Sequence, residues 1–392
     1  MRGRVTLFLL VLLFSFSLLI VSLKNGIAQD SIIVGAVQTT IGPLGPFGRE
    51  INAGLNDALT IAELEGGING KKIKYIMANG NYNPKEDQVL FEQIFSGYKP
   101  LVMFGNSTEL SKAMADEITM NYKCLYSGAT FSSEVAYAAK YPSMFVPGPT
   151  YGDQMAILLK YIAKEKRGAR IAFFYSDTEF GRDSIKFGKL MCGRLKLDLV
   201  SEQTASIKGG DITAQVEALN KAKPDYVVIH GFLVAPVPDL IKQCRDLGMK
   251  CTFIGTFWGA TELLLDKLGP LAEGYLAVNP YSYWSRDEPM IRKIKEHTAK
   301  YHPDVKSRPI YYMQGFLTGL VFTETLRRAD KAGELHYNGL VKALESLANF
   351  DTGGLTPPLT IKNNRFPVAR VWKANPEKGK FEPLSDWITF YE

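Results

Sequence analysis

Two short turns carry the residue types in this chain best suited to chemistry. Gly105-Asn106-Ser107-Thr108 and Ser127-Gly128-Ala129-Thr130 each follow an apolar, strand-like run and combine glycine with side-chain hydroxyls. In open parallel sheets, ligands sit beyond the carboxyl ends of strands, where helix N-termini point unpaired N–H groups into a crevice. Main-chain donors and hydroxyls from two adjacent strands would suit a carboxylate. Either turn alone has a plainer reading, in which Ser107 or Thr108 caps a helix beginning near Glu109.

Catalytic patterns are missing. None of the four histidines, His230, His297, His302 and His336, falls in an HExxH pattern or at a spacing typical of metal ligands. Gly66 to Lys72 is not a phosphate-binding loop, because its glycines are too close and no Ser or Thr follows the lysine. No G-x-S-x-G elbow exists, and Gly42, Gly45 and Gly48 lack dinucleotide spacing. No cofactor, metal or catalytic residue is therefore expected. A hydrolase using stray carboxylates is kept as the weaker alternative to a binding protein.

The elements that position these turns follow an alternating pattern. Short β-branched or apolar runs alternate with helical periodicity, which predicts an α/β architecture of parallel sheets with helices on both faces. In the first half strands are expected near Ile32–Val37, Ile73–Met77, Leu101–Phe104 and Cys124–Tyr126. A second series, near Ala169–Tyr175, Leu199–Ala205, Tyr226–Ile229, Thr252–Gly255 and Tyr275–Val278, follows a new helix from about Tyr151. Three later helices, near 289–301, 311–329 and 337–347, have no strands of their own and are expected to return to the first lobe. Leu359–Ile361, a turn at Asn363-Asn364 and Val368–Trp372 suggest a closing hairpin. The expectation is two doubly wound parallel-sheet lobes joined by three crossings: 29–148 plus 281–355, and 149–280 plus 356–392.

The N-terminal segment sets the expected compartment, outside the cytoplasm. Arg2 and Arg4 precede an apolar run from Val5 to Val21, and Gly26-Ile27-Ala28 offers the small residues that a signal peptidase reads. Residues 1–28 are expected to be a cleaved signal peptide, leaving a periplasmic chain long enough for two domains. Three positive charges of the formal +6 lie in that segment, so the mature chain carries about +3. Its basic residues are scattered among acids, which argues against nucleic acid as a partner. Of the four cysteines, Cys244 and Cys251 could close a short disulfide, whereas Cys124 and Cys192 suit small buried positions.

Taken together, six segments resemble the solute-binding proteins of the branched-chain amino-acid (leucine/isoleucine/valine) ABC transporter family, which are type I periplasmic binding proteins. They are Ile33-Val34-Gly35 with Gly42-Pro43-Leu44-Gly45-Pro46-Phe47-Gly48, then Glu65 to Lys72, Ser127 to Thr130, Tyr175 to Gly181, and Lys223-Pro224-Asp225. The resemblance implies a ligand trapped between two lobes and delivered to a membrane ABC permease by a monomeric binding protein. It implies that Ser107 or Thr108 holds the ligand carboxylate, with Gly128, Ala129 and Thr130 supplying an N–H, a carbonyl and a hydroxyl. Phe47, Phe180 and Phe232 would cover the ligand.

One departure bears on ligand class. Amino-acid binders of this family place an acid after a second-lobe strand to pair the ligand ammonium. This chain reads Gly255-Thr256-Phe257-Trp258-Gly259, with no carboxylate before Glu262. A buried ammonium without a partner costs several kcal/mol, unless Asp177 or Glu179 reaches in. With Trp258 added to the three phenylalanines, the reading is a carboxylate-bearing ligand, amino-acid-like or an organic acid with an apolar or aromatic body. A ligand-sensing domain for a membrane receptor is the other alternative.

Overall fold

The structure, a computed structural model, describes residues 31–390; the expected signal peptide and its cleavage point lie outside the described residues. The first sheet is built from β1 (Ile32–Gln38), β2 (Ile73–Asn79), β3 (Val102–Gly105) and β4 (Leu125–Gly128). Between these strands run α1 (Gly45–Leu64), α2 (Pro84–Tyr98) and α3 (Thr108–Glu117). All pairings are parallel and the strand order is β2-β1-β3-β4. β1 is apolar almost throughout because helices cover both of its faces, as buried parallel strands require.

The second lobe begins with α4 (Tyr151–Glu165) and continues through β5 (Arg170–Ser176), α5 (Glu179–Arg182), α6 (Ile185–Arg194) and β6 (Asp198–Ala205). Then come α7 (Thr213–Ala222), β7 (Tyr226–His230), α8 (Val237–Asp246), β8 (Thr252–Gly255), α9 (Glu262–Leu268) and β9 (Leu276–Asn279). Thr150 starts α4 with a reciprocal capping box to Asp153, satisfying donors that a helix start otherwise leaves unpaired.

The chain then forms α10 (Pro289–Tyr301), α11 (Ile310–Lys331) and α12 (Tyr337–Glu345). α11 lies directly on α1 because small residues let the two backbones meet. A Cβ on Gly54 would sit 2.0 Å from the Tyr312 carbonyl oxygen, and one on Gly315 would sit 2.0 Å from that of Ile51. Any larger side chain at either position would push the helices apart.

The tail differs from expectation. The turn at Asn363-Asn364 exists, with both residues at positive φ, but it closes only a single bridge between Lys362 and Arg365. The hairpin lies further on, between β10 (Val368–Asn375) and β11 (Lys380–Pro383), while β12 (Ile388–Thr389) also pairs β10. β10 joins β9 antiparallel, so the second sheet is mixed, in the order β11-β10-β9-β8-β7-β5-β6. β10 is buried on both faces there, Val371 against one core cluster and Trp372 and Ala374 against the other, so a pairing one residue out of step would exchange the two sets.

Three strands of chain cross between the lobes side by side. Val146 N–H donates to the Asn364 carbonyl at 3.0 Å, and the Tyr281 hydroxyl donates to the Pro147 carbonyl at 2.8 Å. Asp153 and Arg365, both largely buried, pair at 2.6 Å beside them. Cys124, Cys192, Cys244 and Cys251 are all buried free thiols, so the short disulfide considered above is not formed.

Candidate ligand-binding site

A pocket lies between the lobes at the point where each strand order reverses. In the first sheet that point is between β1 and β3, and in the second between β5 and β7. Reversal leaves the following loops diverging to opposite faces, so a crevice opens beyond the strand ends. The first lobe lines it with Gln38, Thr39, Leu44, Phe47, Gly48, Ile51, Tyr82, Asn106, Thr108 and Ala129. Tyr151, Phe180, Leu233 and Trp258 close it from the other side. The enclosed space is narrow, about 40 Å³. Through Thr39, Leu44, Phe47, Tyr82 and Leu233 it meets an outer groove of about 630 Å³ walled by Ile41, Pro43, Ile207, Val234 and Ala235, with Asn81 and Lys208 as its polar members.

Five of the nine residues singled out from sequence, Phe47, Thr108, Ala129, Phe180 and Trp258, line this pocket. The other four are used differently. Ser107 is the N-cap of α3, its Oγ accepting from Leu110 N–H at 3.0 Å. Gly128 packs strand against helix, since a Cβ there would meet Ser111 Oγ at 2.8 Å. Thr130 stands one layer back, bonding Thr108 Oγ1 at 2.8 Å and accepting from Ser132 N–H at 3.1 Å. Phe232 stacks on Phe174 at 5.1 Å and is a core residue. The N–H of Ala129 donates to the Gly105 carbonyl at 2.8 Å.

Several wall residues had no individual signal in sequence. Asn106 belonged to the singled-out turn but was not itself assigned a role. Its Nδ2 donates to Thr39 Oγ1 and Asp87 Oδ2, both at 2.8 Å, which fixes the amide orientation and leaves Oδ1 buried without a partner. Gln38, at the carboxyl end of β1, has a buried Nε2 that is likewise unpartnered. Tyr82 adopts a φ of 57°, an outlying conformation for a bulky residue, and its ring enters the wall. Tyr151 comes from the first turn of α4.

The second-lobe wall is an aromatic cluster around one imidazole. Tyr151 lies 5.3 Å from Phe180 and 4.9 Å from His230, and Phe180 lies 6.0 Å from Trp258, with edge or tilted geometry favoured by ring quadrupoles. His230 Nε2 faces the Phe180 carbonyl at 3.1 Å, so this nitrogen carries the proton; Nδ1 then accepts from Thr256 Oγ1 at 2.9 Å. Burial pushes its pKa down to about 4, keeping the ring neutral.

Contacts also span the lobes. Tyr311, on α11, donates its hydroxyl to the Trp258 carbonyl at 2.7 Å and packs an edge on Phe47 at 5.5 Å. Lys112 on α3 reaches Asp183 at 3.1 Å and Glu179 at 3.4 Å. Glu179 is thus engaged with Lys112, Asp177 pairs with Arg182, and neither acid lines the pocket. Glu109 approaches from behind Tyr82, with its Oε2 3.4 Å from the phenol, and burial raises its pKa.

The cleft lies between two α/β lobes, and aromatic rings make up much of its wall. The chain belongs to the periplasmic binding protein family, whose pattern matches residues 31–380. It is similar to the Leu/Ile/Val-binding protein of Citrobacter freundii, 22% identical over 277 residues, covering 70% of this chain and 75% of that one. The Leu/Ile/Val-binding protein of Escherichia coli strain K12 is 23% identical over 278 residues, covering 69% and 74%. Among solved structures, a branched-chain amino acid ABC transporter protein from Thermus thermophilus with bound valine superposes with TM-score 0.83 at 22% identity, covering 93% of this chain and 97% of that one. A fatty acid ABC transporter substrate-binding protein from Thermomonospora curvata gives TM-score 0.78 at 20% identity, covering 93% and 94%. The hydrolase alternative falls with these findings, and the fold is that of the type I periplasmic binding proteins.

Proposed function

We propose that this protein captures a small carboxylate-bearing solute with an apolar or aromatic body outside the cytoplasm and hands it to a membrane ABC permease. The observation that carries this reading is the pocket wall: all of its fourteen residues are uncharged, and most are apolar or aromatic. An α-amino acid would bring an ammonium into that wall with no carboxylate facing it. Burying such a charge unpaired costs several kcal/mol. An organic acid needs donors only at one end. Gln38 Nε2 has no hydrogen-bond acceptor within 3.5 Å, the Thr108 hydroxyl stands at the wall bonded to Thr130, and α3 starts at the pocket, where its dipole favours an anion. The body of the solute would extend toward the mostly apolar outer groove, which Lys208 and Asn81 also line.

A second reading is favoured by one observation. Asn106 Oδ1 is an unpartnered acceptor, and Glu109 stands behind Tyr82, so a rearranged Tyr82 would let an ammonium reach both. Leucine and valine are the solutes this reading requires.

In either case the solute would bridge both lobes and bias an open–closed equilibrium toward the closed form, whose outer surface a permease would read. Identification of unchanged solute released from purified protein by mass spectrometry, followed by calorimetry, tests both. Micromolar binding of benzoate-like or aliphatic acids supports the organic-acid reading. Micromolar binding of leucine or valine without those acids overturns it.

A further inference from the structure

We propose that Asp57, His297 and His302 form a binding site for one divalent first-row transition-metal ion, on the helical cover of the first lobe and separate from the solute pocket. Their chain positions give no motif; they meet only where His297 of α10 and His302 just beyond its end come over Asp57 of α1. His302 Nε2 lies 3.0 Å and His297 Nε2 lies 3.5 Å from the same oxygen, Asp57 Oδ1, and all three ligand atoms fall within 4.8 Å of one another. For metal–ligand bonds of about 2.0–2.1 Å, the edge of a tetrahedron is about 3.3 Å. Two of the three edges are therefore already near their bound length. Imidazole and carboxylate together suit zinc, cobalt, nickel or copper, and three protein ligands leave a fourth position for water.

The surroundings support the carboxylate from its other side. Tyr312 donates its hydroxyl to Asp57 Oδ2 at 2.9 Å, and Arg308 stands 3.6 Å from the same oxygen. Outer partners of this kind fix a ligand's orientation. Arg308 is in turn offset by Glu50 at 3.4 Å, so the neighbourhood, counted with Asp57 and neutral imidazoles, carries net charge −1 to receive a dication. Asp57 and His297 are buried, whereas the His302 side chain is 36% exposed and gives the ion access from solvent. A bound ion would tie α10 to α1 and so stiffen the first lobe. None of the three residues lines the solute pocket.

The test uses mature protein without an affinity tag, stripped with chelator and titrated with Co²⁺ followed by absorption, and with Zn²⁺ followed by equilibrium dialysis and melting temperature. One ion per chain, the intense visible bands of tetrahedral cobalt and a zinc-dependent rise in melting temperature are expected. In His302→Gln, metal affinity should fall at least about tenfold while the metal-free melting temperature stays near that of the parent, because His302 lies at the surface. Asp57→Asn should abolish binding; if it fails to fold, His302→Gln decides alone. Absence of a stoichiometric ion overturns the proposal, as does equal affinity in parent and His302→Gln.

Discussion

The indole Nε1 of Trp258 donates to the phenol oxygen of Tyr151 at 2.9 Å, joining the loop after β8 to the first turn of α4. Tyr151 in turn lies 3.4 Å from Thr108 Oγ1 of the first lobe. This chain of side chains crosses the cleft, so the contact between the lobes uses groups that also line the pocket. Trp258→Ala should weaken binding of the recovered solute by about tenfold or more, as loss of a buried aromatic anchor does. Trp258→Phe keeps a ring but strands the Tyr151 hydroxyl, and should cost about 1 kcal/mol of affinity. Calorimetry on folded variants checks both, and an unchanged dissociation constant for Trp258→Ala removes it from the site.

Neighbouring hydroxyls on one turn should separate cleanly. Ser107 caps α3 while Thr108 faces the pocket. Ser107→Ala should lower stability by about 1 kcal/mol with little change in affinity. Thr108→Val removes the buried bond to Thr130 Oγ1, so it too should cost about 1 kcal/mol of stability, but unlike Ser107→Ala it should weaken binding. Denaturant unfolding beside calorimetry reads both, and equal effects of the two substitutions on affinity would refute the assignment.

Glu262 lies at the start of α9 in the second lobe and accepts from Ile310 N–H of the first lobe at 3.2 Å. Burial raises its pKa to about 7, with Asp266 adding to the rise, so the native state holds the proton more tightly than the unfolded chain. Stability therefore falls as pH rises from about 4.5 to about 7, with the full penalty present above that. Glu262→Gln should remove this slope, on the order of 1–3 kcal/mol. Melting temperature across that window, parent against variant, is the measurement; parallel curves would contradict it.

His230 works in the opposite sense. Its folded pKa of about 4 lies below the usual 6.5, so the native state resists protonation. The stability it supports is complete above about pH 6.5 and is lost as pH falls toward 4, by roughly 3 kcal/mol. His230→Gln should flatten the acid limb of the melting curve. If parent and variant lose stability in step between pH 6.5 and 4, the buried neutral imidazole is not responsible.

How much of this was legible beforehand varies with the range of the interactions. The strands of both sheets and the helices between them follow from local periodicity, since a buried parallel strand must be apolar whatever lies across from it. Thr108, Ala129, Phe180 and Trp258 follow from their position beyond strand ends. Ser107 and Phe232 share that position but not its consequence, because a one-residue step swaps a cap for a pocket wall, or a pocket wall for core. The tail hairpin lies one strand further on than expected, where β10 turns back into β11, and the other neighbour of β10 is β9, about ninety residues upstream and beyond any local pattern.

By itself the sequence determined an α/β chain of alternating strands and helices, the two hydroxyl-bearing turns beyond β3 and β4, and the want of an acid beside Trp258, since each depends on residue type and short-range order. Only the tertiary structure decided which side chains meet: Tyr82 and Tyr151 in the wall, Glu262 against Ile310, and two histidines on Asp57. Those contacts depend on how helices cross and lobes face each other. Residues far apart along the chain are brought together by packing, which local pattern does not encode.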